Sequence, residues 1–261
     1  MRKKIALKNG RSCIAAYSFA RPKATRWMVF LPESAADFME GQRQELVLQL
    51  GSRLAKNLNY LVVNKPGVSP AGTNAPLFEQ SFRRQRRIQD ALTVLKNIVP
   101  ENDEIFLVGY SEGAYLAPQV ALQDPRVKAL VMIGGGTRGW LKEELSNAGP
   151  LERPALIRQI REIHQHPRSL KKWNSFSYAT WHSYREDSTL NALKKLKIPM
   201  LAILGARDRT INFKSALTDL KEMARRKPVQ VRVFDNCGHS FVSHWADAWH
   251  EIKRFLNLWL D

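Results

Sequence analysis

Cysteine, acidic residues and long apolar runs are what this sequence is short of. Of its 261 residues only Cys13 and Cys237 are cysteine. Two thiols supply neither a disulfide framework nor a zinc site. No run approaches the roughly 18 apolar residues of a membrane-spanning helix, so no transmembrane segment is expected. The start Met1-Arg2-Lys3-Lys4 has the charge of a secretory leader, but Ile5-Ala6-Leu7 is broken by Lys8-Asn9-Gly10-Arg11. The apolar stretch of roughly 7–15 residues that a leader requires is missing. The expectation is a soluble, cytoplasmic protein.

Acidic residues number 24 against 41 basic ones, a formal net charge of +17. Such a balance keeps a protein soluble and draws anionic partners in general. The basic residues are spread over helical patterns: Arg83, Arg84, Arg86 and Arg87; Arg158 and Arg161; Lys171 and Lys172; Lys194, Lys195 and Lys197; Arg225, Arg226 and Lys227. There is no zinc-finger spacing, RNA-recognition signature or basic stretch leading into heptads. Charge alone sets only non-specific affinity, so no specific nucleic-acid partner is expected. A 44% hydrophobic content excludes a disordered chain.

No repeat or low-complexity tract interrupts the pattern, and strands alternate with helices. Lys4 to Leu7, Asn9-Gly10 and Ser12 to Phe19 read as a hairpin closed by a tight turn. Trp27 to Leu31, Tyr60 to Val63, Ile105 to Val108, Ala129 to Ile133, Met200 to Leu204 and Val229 to Phe234 read as strands, the first and third of them buried. Between them lie helical periodicities over Arg43 to Leu58, Phe82 to Ile98, Ala114 to Leu122 and Phe213 to Arg226, with Trp245 to Leu260 last. The order predicts an α/β fold with a mostly parallel, doubly wound sheet covered on both faces. Ligands of such sheets lie beyond the C-terminal strand ends.

Three residues fall at those ends. Ser111, in Gly109-Tyr110-Ser111-Glu112-Gly113, sits on a strand-to-helix turn. Glycines two before and two after let the chain bend sharply there and expose the hydroxyl. The plainer reading is a helix N-cap serine between turn glycines. His239 follows the last strand, whereas His164, His166, His182, His244 and His250 fall in or beside helical stretches. A serine nucleophile needs such a base, and the base needs an acid to orient it. Asp208 follows the strand ending at Leu204, flanked by Arg207 and Arg209, which would otherwise make it a surface ion pair. Asp235, four residues before His239, is the fallback acid.

In the order Ser, Asp, His at strand ends, the chain resembles the α/β-hydrolase superfamily over nearly its whole length. The resemblance implies an α/β-hydrolase fold and cofactor-free hydrolysis of an ester, amide or thioester through Ser111, with Asp208 and His239 as the other catalytic residues. It also implies an oxyanion hole built from backbone N–H groups. Members often carry His-Gly after the third strand, where this chain has Leu31-Pro32-Glu33-Ser34. The donors are then Glu112 and Glu33, with Ser34 as the one-residue-shifted alternative, and both glutamate side chains are expected to point away. The resemblance makes 137–196 a helical cap inserted into a core of 1–136 and 197–261.

The interval from Gly134 to Leu196 has no strand signal. Its Trp140, Trp173, Phe176, Tyr178, Trp181 and Tyr184 either line a substrate pocket or only pack the insert onto the sheet. Trp140, Trp173 and Trp181 are the candidate substrate-binding residues. Gly134-Gly135-Gly136 reads as a hinge, and it lacks the Lys-Ser or Lys-Thr of a phosphate loop.

The leading expectation is a serine hydrolase with carboxylesterase-like chemistry acting on a small-molecule ester. An aminopeptidase, thioesterase or acyltransferase would use the same residues. The alternative from another class is a non-catalytic hydrolase-like binder of an anionic partner, its oxyanion site spoiled by the Leu-Pro-Glu-Ser stretch.

Overall fold

Runs of consecutive apolar residues too short for helices can bury both faces only inside a sheet that is covered on both sides. The computed structural model, which describes residues 2–9, 12–21, 23–34, 58–69 and 72–258, arranges them in that way. Strands β1 (Arg2–Asn9), β2 (Ser12–Phe19), β3 (Arg26–Leu31), β4 (Leu58–Val63), β5 (Glu104–Tyr110), β6 (Val127–Ile133), β7 (Met200–Gly205) and β8 (Val229–Phe234) form one sheet in the order β1-β2-β4-β3-β5-β6-β7-β8. The β1–β2 and β2–β4 pairs are antiparallel, and every pair from β4 to β8 is parallel. Asn9 faces Ser12 across the hairpin; its turn residues 10 and 11 lie outside the described residues.

Strand alternation splits the core in two. Trp27, Val29 and Leu31 of β3 join the cluster that contains Ile88, Ala91, Val94 and Leu95 of helix α2 (Arg84–Ile98). The same cluster takes in helices α3 (Glu112–Gln123) and α8 (Phe213–Ala224). Met28 and Phe30 join the cluster on the other face, against Ala248, Trp249, Ile252 and Phe255 of α9 (Trp245–Asn257).

Two helical expectations change. Residues 43–57 of the expected Arg43 to Leu58 helix lie outside the described residues, and Leu58 opens β4 opposite Arg26. The stretch from Phe82 to Ile98 starts two residues late, behind a separate helix α1 (Ala75–Ser81). Phe82 leaves the helical path (ψ 80°). Its ring is buried between those of Phe78 and Phe176, with centroids 4.7 and 5.6 Å away. Tertiary packing of one aromatic thus overrides local helical periodicity.

Between β6 and β7 the chain adds nothing to the large sheet. It forms α4 (Trp140–Asn147), α5 (Arg153–Gln165), α6 (Tyr178–Ser183) and α7 (Ser188–Lys195). A ribbon of Lys172–Trp173 against Phe176–Ser177 escapes sequence reading because two residues carry no period. The Gly134-Gly135-Gly136 run is packed rather than free. A Cβ on Gly135 would lie 2.3 Å from that of Ala114, and one on Gly136 2.1 Å from the Glu143 carboxylate.

Trp249 is the largest α9 side chain in the second cluster, buried beside Phe30. Trp249→Ala is expected to destabilise the fold by about 3–5 kcal/mol, read from urea unfolding. Trp249→Phe should cost much less, because the buried indole N–H it removes has no hydrogen-bond partner among the described residues.

Candidate active site

At the junction of β5 and α3 the backbone turns through a conformation few side chains adopt. Ser111 has φ 50° and ψ −113°, left-handed in φ and outside the usual wells. Such strain persists only where the surroundings over-determine it. Its N–H donates to the Ile133 carbonyl at 2.9 Å, fixing the turn to the end of β6. The neighbouring glycines are required by space. A Cβ on Gly113 would lie 1.9 Å from the Leu31 carbonyl oxygen, and one on Gly109 2.4 Å from that of Gly113. Ser111 occupies the N-cap of α3 but makes no capping bond. Its Oγ lies 2.8 Å from His239 Nε2.

The histidine is held from its other side, with Nδ1 2.7 Å from Asp208 Oδ2. Asp208 is buried, and its Oδ1 accepts the N–H groups of Thr210 at 2.8 Å and Ile211 at 3.3 Å. Arg207 and Arg209 are exposed, and neither forms an ion pair with Asp208 among the described residues. Asp235 is also exposed. The acid and histidine loops are stitched by backbone bonds, Ala206 N–H to Phe234 at 3.0 Å and Arg207 N–H to Cys237 at 2.9 Å. The Tyr110 hydroxyl donates to the His239 carbonyl at 3.1 Å. The other five histidines stay apart; His164 and His182 face each other on the insert with their Nδ1 atoms 3.3 Å apart.

The Leu31-Pro32-Glu33-Ser34 stretch runs alongside. Glu33 and Ser34 line the same cleft as Ser111 and His239, and the Glu33 carbonyl accepts the ammonium of the fully buried Lys65. Glu112 opens α3, so its N–H is one of the first-turn amides with no intrahelical acceptor. The Glu112 carboxylate is taken up elsewhere, accepting the Tyr184 hydroxyl and lying 3.6 Å from the Arg87 guanidinium. Burial and that neighbouring carboxylate push the Tyr184 hydroxyl well above the ordinary phenol range, so it stays a donor.

Sequence reading missed this Arg87–Glu112–Tyr184 group because Arg87 sits in a basic run. The available signal was its spacing: Arg87, Ala91 and Val94 recur on the inward stripe of α2, where a cation needs a buried partner.

Two cavities meet at Ser111. The outer cleft, about 950 Å³, is open and includes Glu33, Ser34, Tyr110 and Phe176 in its walls. The inner one, about 100 Å³, is narrower and is walled by Tyr115, Trp140, Phe176 and Trp181 with Glu143 and Glu144. Of the expected substrate-binding tryptophans, Trp140 and Trp181 thus reach the inner cavity. Trp173 lines neither; its ring packs on Trp181, 4.7 Å between centroids, and faces a separate cleft beside α5.

The sequence model of the alpha/beta hydrolase family matches residues 28–252. The chain belongs to that family. Esterase EstD of Thermotoga maritima is 28% identical to this hydrolase over 166 residues, 60% of this chain. The match spans only 40% of EstD's own length. Among solved structures, mouse alpha/beta hydrolase domain-containing protein 10 superposes with a TM-score of 0.68 at 16% identity, covering 99% of this chain and 98% of its own. The Pyrococcus furiosus esterase Pf2001 gives 0.69 at 12% identity, over 100% of this chain and 93% of its own. At those identities the two structures speak for the fold alone. No described helix of this hydrolase is long and apolar enough to cross a membrane.

The glycine contacts yield a paired test. Gly113→Ala must force α3 off β3 and should cost about 3 kcal/mol or more, the upper end for overpacking. Gly238→Ala meets nothing within 4 Å and should leave the melting temperature nearly unchanged.

Proposed function

We propose that this hydrolase is a serine esterase of carboxylesterase-like chemistry, with Ser111 as nucleophile, His239 as base and Asp208 as orienting acid. The observation that carries the reading is the unbroken bonding line from Ser111 Oγ through His239 to Asp208, 2.8 and 2.7 Å long. The kinship with a protein named an esterase supports it. Ser111 Oγ attacks the ester carbonyl while its proton passes to His239 Nε2. The resulting oxyanion is met by the backbone N–H groups of Glu112 and Glu33, or of Ser34 in the shifted register. His239 returns the proton to the departing alcohol, leaving an acyl-enzyme. Water then enters by the same base, and its attack releases the acid and regenerates Ser111. Throughout, Asp208 holds the Nδ1–H tautomer and balances the imidazolium.

In this reading residues 137–196 form a cap over a core of 1–136 and 197–261, and the substrate is a small ester handled without a cofactor. Aminopeptidase, thioesterase and acyltransferase activities would share these steps and differ in leaving group or acceptor. Among the described residues nothing favours the non-catalytic reading: Glu33 and Ser34 line the cleft of Ser111, and the Glu33 carbonyl is held by the buried Lys65.

A fluorophosphonate probe tests the assignment without a choice of substrate. Parent protein should be labelled and Ser111→Ala should not, with its kcat/KM for esters lowered by about 10,000-fold or more. Asp208→Asn should fold normally and lose about 10,000-fold in kcat through the wrong histidine tautomer. Full ester turnover by folded Ser111→Ala would refute the mechanism.

A further inference from the structure

The inner cavity has a composition that the overall charge of the chain does not foreshadow. In a protein of net charge +17, its walls carry Glu112, Glu143 and Glu144 and, among the described residues, no lysine or arginine. Two of the three carboxylates are already engaged. Glu112 is bound by Tyr184 and Arg87. Glu143 accepts the Arg138 N–H at 3.1 Å and the Asn212 N–H at 2.6 Å.

Glu144 differs. It lies in the wall shared by the inner cavity and the cleft beside α5, and its carboxylate has no hydrogen bond or ion pair among the described residues. Burial, with no compensating charge, pushes its carboxyl above the usual range. The nearby cations are committed: Arg138 pairs with Asp219 and Lys142 with Asp187. The same cavity is lined by Trp140, Phe176 and Trp181, whose rings attract a cation through their π-faces.

Which part of a substrate enters follows from the order of release. The alcohol leaves first and the acyl group stays bonded to Ser111. An alcohol lodged in the narrow cavity would be trapped behind the acyl-enzyme, whereas the open outer cleft lets it go. The inner cavity is therefore the acyl side. Its volume sets the length: a 150 Å³ cavity holds a benzene-sized guest, so about 100 Å³ holds about four non-hydrogen atoms.

Resting on the serine-hydrolase reading, we propose that the inner cavity binds a short acyl arm ending in an ammonium group, held between Glu144 and the Trp140, Phe176 and Trp181 rings. An arm of that length ending in a carboxylate is repelled, and a long alkyl arm does not fit.

Benzyl esters of 3-aminopropanoic, butyric, succinic and octanoic acids test this, with benzyl alcohol release as the readout. The first two acyl groups have the same shape, an ammonium replacing a methyl. Parent protein should favour the amino ester over butyrate by about tenfold or more in kcat/KM, as one charge-assisted contact would give. Succinate and octanoate should be poorer than butyrate. Glu144→Gln should bring the amino-to-butyrate ratio close to one. In Phe176→Ala, or in Phe176→Leu if the alanine variant does not fold, octanoate turnover should rise relative to butyrate. Parent protein that cleaves butyrate or octanoate at least as well as the amino ester would overturn the proposal while leaving the esterase reading intact. Protein that cleaves none of the esters and takes no fluorophosphonate label would overturn both.

Discussion

The site depends on how closely α3 can press against β3. At Gly113 the helix backbone lies so near the Leu31 carbonyl that a methyl group would overlap it. That approach forces the chain to leave β5 through a sharp turn, and the turn places Ser111 in a conformation that an isolated peptide would abandon. The strain is not relieved locally. It is held by the Ile133 carbonyl on one side and by α3, packed into the larger core cluster, on the other. The same contact brings the Leu31-Pro32-Glu33-Ser34 stretch beside Ser111, so one pair of touching backbones positions both the proposed nucleophile and the proposed oxyanion donors.

A second constraint ties the insert to this turn. Glu112, the residue after Ser111, is buried with Arg87 from α2 and Tyr184 from the end of α6. A buried ion pair adds little net stability, but removing one member leaves an uncompensated charge. Glu143 makes a comparable link from α4, accepting the Asn212 N–H only four residues beyond Asp208. The insert is thereby coupled to both the Ser111 turn and the Asp208 loop.

Much of this was legible in the sequence, for definable reasons. The parallel strands announce themselves because burial on both faces leaves unbroken apolar runs such as Met200 to Leu204. Ser111 and Asp208 could be picked out because each follows such a run, and His239 because it follows the last strand; in the structure His239 lies within hydrogen-bonding distance of both others. The insert was far less readable. Whether Trp140 and Trp181 line a cavity while Trp173 packs behind them depends on tertiary contacts between short helices, which no periodicity encodes. Arg87 was hidden for a different reason, since a run of four arginines within five residues looks like a solvated face until the inward stripe of α2 is traced. Phe82 shows the converse error, a residue in helical register that its aromatic neighbours pull out of the helix.

The position of β8 bears on how this molecule loses its site. Among the described residues the strand lies at one edge of the sheet, paired on one side only, and most of it is half-buried. The histidine hangs from its end, 128 residues along the chain from the serine that it must reach. Edge elements with few buried contacts open at free energies well below that of global unfolding. Detachment of β8 alone would carry His239 away while Ser111 stayed clamped between β5 and α3. The Ser111–His239 bond is therefore open to loss at a free energy set by the last strand rather than by the central core.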